Sequence, residues 1–316
     1  MDVLSYVKEK VNIPSLMLGA GTVFAGTACA AIRGSLEWFA ASLCVFFAIF
    51  LQMGANLMYF YTRAKRNYDQ SIHPRYEHKE DVMNALHNRV LREGAFACFI
   101  IAGMLGLVIM ATSPNSFWVF IAGIVLVGFI FIINTAKRPI FGTYRMIFIT
   151  WLIFGPIGVL GTSLAELQNQ AQAFAGFDQA PGLFVGPAMG FLACNVHLMY
   201  NYLMYRITPN IKGGVVYNLT PTGVRILMFI NGVLMLAMIF FGVFICNFLK
   251  PLFASLPAFM GFALNTFLVI RMHNATIGEL NFLNLLCKLN FLFTGLVMLI
   301  FWIACGYPSA SMYELF

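Results

Sequence analysis

Charged residues are scarce in this sequence. Only 10% of its 316 residues are Asp, Glu, Lys or Arg, whereas 60% are hydrophobic; a soluble domain carries roughly 25% charged and 45–50% apolar residues. This deficit excludes a soluble enzyme and a disordered chain. It also excludes a nucleic-acid-binding domain, because the basic residues lie in short loops rather than on one polar face. The apolar stretches are continuous rather than alternating, which disfavours an outer-membrane barrel. The composition therefore predicts an all-α polytopic membrane protein.

Cysteine pairs with metal-binding or redox spacing are also missing. The seven cysteines include no CxxC pair, and all of them fall in apolar stretches. An odd, scattered set of this kind argues against a disulfide framework and against a metal cluster. We expect most of these cysteines to be small core residues.

What the sequence does contain is nine apolar segments long enough to cross a membrane at about 20 residues per crossing. They cover roughly residues 14–32, 36–62, 94–113, 116–135, 146–163, 182–205, 222–248, 251–270 and 289–306. Of the 19 Lys and Arg residues, 17 fall at the N-terminus or in every second loop, and only Arg33 and Lys250 fall on the other side. Because cytoplasmic loops are enriched in Lys and Arg, we expect a cytoplasmic N-terminus and a C-terminus outside. Residues 1–316 form a single predicted domain, with a cytoplasmic loop 63–93 between helices 2 and 3.

Two predicted helices carry polar side chains at helical spacing near the basic side. On helix 6, His197, Asn201 and Tyr205 are spaced i, i+4, i+8 and share one face. A similar stripe on helix 2 comprises Gln52, Asn56, Tyr59 and Arg63. Burying polar groups in lipid is costly, so such stripes are the default candidates for a functional site. We expect the two stripes to line a cavity with its mouth at the cytoplasmic face.

Several short motifs follow one another in a recognisable order. They are Gly26-Thr27-Ala28 in helix 1, LQxxxNLxxxYxx from Leu51, Arg138-Pro139, GPIGVLGT from Gly155, and an Asn-bearing helix 6 followed by a basic Gly loop. In this order and spacing the chain resembles, over nearly its whole length, the UbiA superfamily of intramembrane prenyltransferases, closest to the menaquinone-branch (1,4-dihydroxy-2-naphthoate) enzymes. The resemblance implies a UbiA-like bundle of nine helices, a cytoplasmic-side active site, and a bacterial inner (cytoplasmic) membrane location.

The family's chemistry depends on two aspartate motifs, of the NDxxD and DxxxD types. Their carboxylates hold Mg²⁺, which neutralises the diphosphate of an isoprenyl donor as the C–O bond breaks. In our alignment the Asn of the first motif becomes Tyr59, and its two aspartates become Phe60 and Arg63. An arginine at a metal position would repel the metal. The more distal acidic position survives as Asp69, which is the candidate for a catalytic or metal-binding residue that the alignment retains.

The second motif is degenerate in the same way. Its aspartates become Asn201 and Tyr205, whereas Asn195 and Arg206 match the family. A neutral amide and a phenol are poor magnesium ligands. The alignment therefore predicts that the usual two-magnesium site is absent.

Three further groups of residues allow more than one interpretation. Loop cations could grip a phosphate through paired hydrogen bonds, or they could simply set the topology beside anionic lipids. The polar loop after helix 2 could be a relocated metal site or a solvated segment. His197 could contact a ligand, or it could be hydrogen-bonded in the core. The loop cations are Arg63, Arg66, Lys137, Arg138, Arg206 and Lys212; the loop candidates are Asp69, His73, Glu77, His78, Glu80 and Asp81.

The sequence thus predicts a diverged UbiA-like protein that binds an isoprenoid, quinone or phospholipid in an intramembrane cavity, without a cofactor and without magnesium-dependent prenyl transfer. Its expected partners are this lipid, the bilayer and other membrane subunits, but no nucleic acid. The predicted binding residues are Asn56, Arg63, Arg66, Asn195, His197, Asn201, Tyr205 and Arg206. The alternative is an active prenyltransferase of menaquinone or ubiquinone type, in which Asp69 and nearby loop acids hold Mg²⁺ and an isoprenyl diphosphate is joined to an aromatic acceptor.

Overall fold

The secondary structure is helical throughout the part of the chain that the computed structural model describes, residues 10–65, 85–135, 143–167, 181–208 and 215–305. Nine helices in these ranges are long and apolar enough to cross a membrane. They are α1 Ile13–Ala31, α2 Trp38–Lys65, α3 Ala85–Thr112, α4 Ser116–Thr135, α5 Tyr144–Glu166, α6 Gly182–Ile207, α7 Val215–Ile245, α8 Pro251–Arg271 and α9 Ile277–Cys305. The predicted all-α architecture of a polytopic membrane protein is confirmed.

The helices form a closed ring. Each helix packs against the next one in sequence, and α9 packs back against α1. Additional contacts of α1 with α5 and of α6 with α9 make these helices the centre of the bundle. In the most apolar stretch of α6, 78% of the residues are buried, whereas none is buried in that of α4. The outer faces of α3, α4, α7 and α8 carry large exposed apolar side chains, as expected of surfaces in contact with lipid.

The two ends of the bundle differ in charge. At one end of the bundle α1 begins and the even-numbered helices end. We call this end the basic end. Cations of the described residues at this end are Lys10, Arg89, Arg92, Arg145, Arg206, Arg225, Arg271 and Lys288, whereas Arg33 and Lys250 lie at the opposite end. The cytoplasmic N-terminus and the C-terminus outside stay predictions of the positive-inside rule.

The start of the last helix differs from the predicted boundary. The predicted span began at residue 289, but α9 begins at Ile277. A capping box sets this start: the Thr276 N–H donates to Glu279 Oε2 at 2.7 Å, and the Glu279 N–H donates to Thr276 Oγ1 at 3.3 Å. The first three turns of α9 contain polar residues. The apolar segment that is visible in the sequence is therefore shorter than the helix. As a result Lys288, which the charge count treated as a loop residue, lies within α9.

Glycines let the central helices approach at backbone distance. In α5, a π-helical turn over Ile153–Ile157 contains Pro156, and Gly155 there has non-helical angles of φ −107° and ψ −109°. A Cβ atom at Gly155 would lie 2.6 Å from the carbonyl oxygen of Gly186 in α6. Similarly, a Cβ atom at Gly295 in α9 would meet the carbonyl oxygen of Gly21 in α1. The α5–α6 and α1–α9 seams are therefore closed at these levels.

We expect Gly295→Ala to lower the thermal unfolding midpoint of the purified protein in detergent. The added methyl group would press on backbone rather than on a flexible side chain, and overpacking of this kind costs about 1–3 kcal/mol. Gly278→Ala in the same helix is the matched control, because its Cβ atom would find nothing nearer than Thr276 Oγ1 at 4.0 Å. Equal midpoints for the two variants would contradict the close α1–α9 contact.

Candidate functional site

A cavity of about 920 Å³ lies inside the bundle. Its described wall comes from α1 to α6 and from α9, together with residues that precede α1. Small-molecule sites usually have volumes of roughly 300–1,000 Å³. The cavity is therefore large enough for a sizeable ligand.

The wall changes character along the membrane normal. Polar side chains gather towards the basic end, and apolar or small side chains form most of the remainder. The polar group comprises Lys10, Asn12, Ser15, Gln52, Asn56, Tyr59, Asn134, Thr150, His197, Tyr200, Asn281, Asn284 and Lys288. Towards the opposite end the wall includes Cys44, Ala48, Met110, Val119, Ile157, Gly161 and Ala165. A molecule with a polar head and an apolar tail would match this gradient.

The amides of α2 fix the start of α1 in the polar half. Gln52 Nε2 donates to the carbonyl oxygen of Ser15 at 2.8 Å, and Gln52 Oε1 accepts from the N–H of Gly19 at 3.2 Å. One turn further along, Asn56 Nδ2 donates to the carbonyl oxygen of Val11 at 2.8 Å and to Ser15 Oγ at 2.9 Å. Gly19 makes this approach possible, since a Cβ atom there would lie 2.9 Å from Gln52 Oε1. Much of the predicted helix 2 stripe thus lines the cavity while also positioning the chain before α1.

That chain segment carries a buried lysine. Lys10 is only 5% exposed, and its Nζ lies 5.2 Å from the centre of the Phe60 ring, within the range of a cation–π contact. Phe60 stands where the alignment places an aspartate of the first motif. An aromatic face at this position attracts an ammonium group, but it supplies no oxygen ligand to a metal ion.

On α6, the cavity-facing surface includes His197 but not the whole predicted stripe. The lining residues of this helix are Ala193, Val196, His197, Tyr200, Leu203 and Met204. These residues follow one another at intervals of three or four and so share one face of the helix. Asn201 and Tyr205 lie to the side of this face. Asn201 Nδ2 donates to the carbonyl oxygen of His197 at 2.9 Å, and Tyr205 packs against the central apolar core.

Asn195 lies on another side of α6, in a buried network between helices. Its Nδ2 donates to Asn265 Oδ1 and to the carbonyl oxygen of Met228, and its Oδ1 accepts from Asn231 Nδ2, at distances of 2.8–2.9 Å. Asn265 Nδ2 in turn donates to the same Met228 oxygen at 3.0 Å. The network joins α6 to α7 and α8. These contacts make Asn195 a packing residue of the bundle rather than a residue of the cavity wall.

Several predicted site residues are not brought to the described cavity wall. Arg206 Nη2 donates to the carbonyl oxygen of Ala275, in the α8–α9 connection, at 3.4 Å. The side chains of Arg63 and Arg66, together with Asp69, lie outside the described residues. The same holds for the remaining candidates of the loop after α2, and for Lys137, Arg138 and Lys212.

The contribution of α9 to the cavity wall was not among the predictions from the sequence. Asn281, Asn284 and Lys288 line the cavity and follow the spacing i, i+3, i+7 that places them on one helical face. The capping box at Thr276 and Glu279 marks the start of this helix in the sequence and would have revealed the stripe.

A second missed residue is Asn134, near the end of α4. It is 7% exposed, and its Nδ2 donates to the carbonyl oxygen of Ile130 at 2.8 Å. Its Oδ1 is buried and has no hydrogen-bond partner among the described residues. Because Asn134 also lines the cavity, this oxygen is available to a donor on a ligand.

A pair of magnesium ions does not fit the part of this wall that the structure describes. The described lining contains Lys10 and Lys288 but neither Asp nor Glu. Over the described ranges, no cluster of three or more His, Cys, Asp or Glu side chains is arranged to hold a metal ion. Hard divalent cations need oxygen ligands, preferably carboxylates, and two ammonium groups would repel them.

Comparison with known proteins adds no family assignment. The sequence matches no protein-family model and no curated protein. Function must therefore be inferred from the cavity and from the sequence motifs that resemble the UbiA superfamily.

We expect Gln52→Leu to loosen the first turns of α1. Two hydrogen bonds to Ser15 and Gly19 would be lost, at a cost of about 1–3 kcal/mol for the pair. Amide hydrogen exchange over residues 13–19 should therefore accelerate by about tenfold. Ser42→Ala is the control on the same helix, because Ser42 Oγ donates only to the local carbonyl oxygen of Trp38. Unchanged exchange in α1 would show that Gln52 does not anchor it.

Proposed function

We propose that this protein is a diverged UbiA-like membrane protein that holds a lipid in the cavity between α1, α2, α6 and α9. The bound molecule has a long apolar tail, as in an isoprenoid, a quinone or a phospholipid. It is held without magnesium-dependent prenyl transfer. The protein acts as a lipid-binding component of the bacterial inner membrane, alone or as a subunit of a larger assembly.

The single observation that carries this proposal is the polarity gradient of the cavity wall. Polar groups from α2, α4, α6 and α9 converge at the basic end, and the rest of the wall is largely apolar. In a bilayer, a head group at the polar end would lie near the membrane surface while its tail filled the apolar part. A water-soluble ligand would leave that apolar part without a matching surface.

The charge of the polar end favours an anionic head group. Lys10, which precedes α1, and Lys288, within the neighbouring α9, both line the cavity, and the described wall contains neither Asp nor Glu. A phosphate accepts charge-assisted hydrogen bonds from ammonium groups. Both a phospholipid and an isoprenyl phosphate present this chemistry, whereas a quinone head is neutral.

Support for the UbiA-like assignment comes from the helix arrangement together with the sequence motifs. Within the described ranges nine helices close into a ring, and a central cavity is polar at one end. The excess of Lys and Arg at the basic end supports a cytoplasmic location for this end, because cytoplasmic loops are enriched in these residues. The orientation and the family remain part of the proposal.

We expect the purified protein to retain an anionic lipid that is visible by native mass spectrometry, and we expect the double variant Lys10→Gln, Lys288→Gln to lose it. Each charge-assisted hydrogen bond contributes about 1.5–3 kcal/mol, so the affinity should fall at least about tenfold. Lys250→Gln, at the opposite end of the bundle, is the matched control and should retain the lipid.

The mass of the released molecule separates the possible ligands. A phospholipid and an isoprenyl phosphate differ in their acyl or prenyl fragments, and both should depend on the two lysines. Retention of the same anionic lipid by the folded double variant would contradict the head-group assignment. Retention of a neutral quinone would support the proposal that the cavity holds a lipid, but it would contradict the proposal that the head group of this lipid is anionic.

A second prediction concerns catalysis. The full chain should show no magnesium-dependent transfer from an isoprenyl diphosphate to a dihydroxynaphthoate acceptor, because the described wall lacks the carboxylates that would hold the metal. Turnover that is abolished by Asp69→Ala would overturn this proposal in favour of an active prenyltransferase.

A further inference from the structure

Arg225 of α7 lies at the basic end but does not line the cavity. Its side chain reaches across to the end of α8, where Nε donates to the carbonyl oxygen of Val269 at 3.2 Å and Nη1 donates to His273 Nδ1 at 2.9 Å. Because a guanidinium can only donate, His273 Nδ1 is the acceptor and carries no proton. Two contacts with the α8 side of the groove therefore hold this guanidinium in a fixed position.

The positive charge of Arg225 has no counter-charge among the described residues. None of their carboxylates forms an ion pair with it. A second guanidinium adds to the positive charge, since Arg206 Nη2 donates to the carbonyl oxygen of Ala275, two residues beyond His273. The bonds of Arg225 to Val269 and His273 use only part of its N–H groups. The remaining N–H groups can donate to an anion, and a guanidinium matches the geometry of a phosphate.

The group formed by Arg225 and His273 lies at the depth of a membrane surface. Thr220 has φ 65° and is followed by Pro221, so the regular part of α7 begins here and Arg225 is in its first turns. On the other helix, His273 comes two residues after the end of α8 at Arg271. Phospholipid head groups occupy this depth, and basic groups between helices attract the anionic ones.

An exposed apolar surface continues from this guanidinium towards the middle of the bilayer. Phe229 lies one turn deeper than Arg225 on the same face of α7 and is 41% exposed. The centre of its ring is 5.8 Å from that of Phe262 in α8, so the two rings bridge the groove. Ile226 and Ile230, on either side of Phe229, are also exposed. A cation above an apolar surface matches a molecule with an anionic head and acyl chains.

We propose that Arg225, held by Val269 and His273, binds the phosphate of an anionic phospholipid on the outer surface of the bundle between α7 and α8. The acyl chains of this lipid lie along Phe229. The site is separate from the cavity, and the inference goes beyond the proposed function. The occupant is a lipid rather than a soluble phosphate, because the cation adjoins an apolar surface that only a molecule with a tail would cover.

Site-resolved photo-crosslinking in vesicles tests this proposal. The full chain is reconstituted in phosphatidylcholine vesicles that contain a small fraction of a probe lipid, either phosphatidylglycerol or phosphatidylcholine, with a diazirine on its acyl chain. After irradiation, mass spectrometry compares labelling of Phe229 with labelling of Phe96 in α3. The ratio of Phe229 to Phe96 labelling should be about fivefold higher for the phosphatidylglycerol probe, which is the effect of about one additional bound cation near the surface.

Phe96 is a matched reference because it also follows an arginine by one turn. It is 53% exposed, and Arg92 lies four residues before it in α3. Arg92 is exposed and makes no described hydrogen bond across to another helix, and Glu93 next to it pairs with Arg89. The comparison therefore separates a guanidinium that is held in a groove from an ordinary surface arginine.

Three substitutions identify the group that binds the phosphate. Arg225→Gln should abolish the preference for phosphatidylglycerol at Phe229. Arg145→Gln, an exposed arginine at the same end on α5, should leave this preference unchanged. Arg225→Lys keeps the charge but not the planar fork, so it should lose most of the preference.

The possible outcomes decide between a built lipid site and its alternatives. Equal ratios for the two probe lipids in the parental protein, a result that needs no variant to fold, would reject the lipid site in favour of an acidic segment of another protein. Full preference in folded Arg225→Gln would show that this guanidinium does not bind the lipid, and full preference in Arg225→Lys would reject the held guanidinium. None of these results depends on the lipid in the cavity, which the substitutions of Lys10 and Lys288 test.

Discussion

A polar group inside a bilayer must find its partner within the protein or on a ligand, because no water is available there. This constraint divides the polar residues of the bundle into two sets. Asn195, Asn231 and Asn265 satisfy one another at a helix junction and hold α6, α7 and α8 together. Asn134 and the α9 stripe face the cavity instead, and the buried Oδ1 of Asn134 has no hydrogen-bond partner within the described ranges. The first set stabilises the fold, and the second set leaves hydrogen-bonding capacity for a bound molecule.

The same constraint governs the charge of the site. In the family that the sequence resembles, carboxylates and metal ions together provide a positive surface for a diphosphate. Here, Lys10 and Lys288 provide positive charge directly, and Phe60 stabilises one of the two ammonium groups through its ring face. Two ammonium groups on the cavity wall can hold an anionic head group, but they lack the concentrated charge of two divalent ions that would assist a diphosphate to leave. This difference is the physical basis for proposing lipid binding without transfer.

The sequence predicted the coarse architecture well because hydropathy reports directly on membrane spans. Which residues line the cavity was harder to predict, since helical spacing defines a face of a helix but not the direction in which that face points. Gln52 and Asn56 do reach the cavity, whereas Asn195, Asn201 and Tyr205 are directed elsewhere by the packing of α6. Lys288 was missed because polar residues at the start of α9 masked its first turns, although the capping box marked them. Close contacts such as Gly21 with Gly295 depend on helices far apart in sequence, so no local pattern predicts them.

The most direct test of the account is a cryo-electron microscopy map of the full chain in lipid nanodiscs, prepared with Mg²⁺ present. The account predicts elongated density in the cavity, with a head group within hydrogen-bonding distance of Lys10 and Lys288 and a tail running towards the opposite end. Two metal ions seated between α2 and α6, with Asp69 among their ligands, would contradict it.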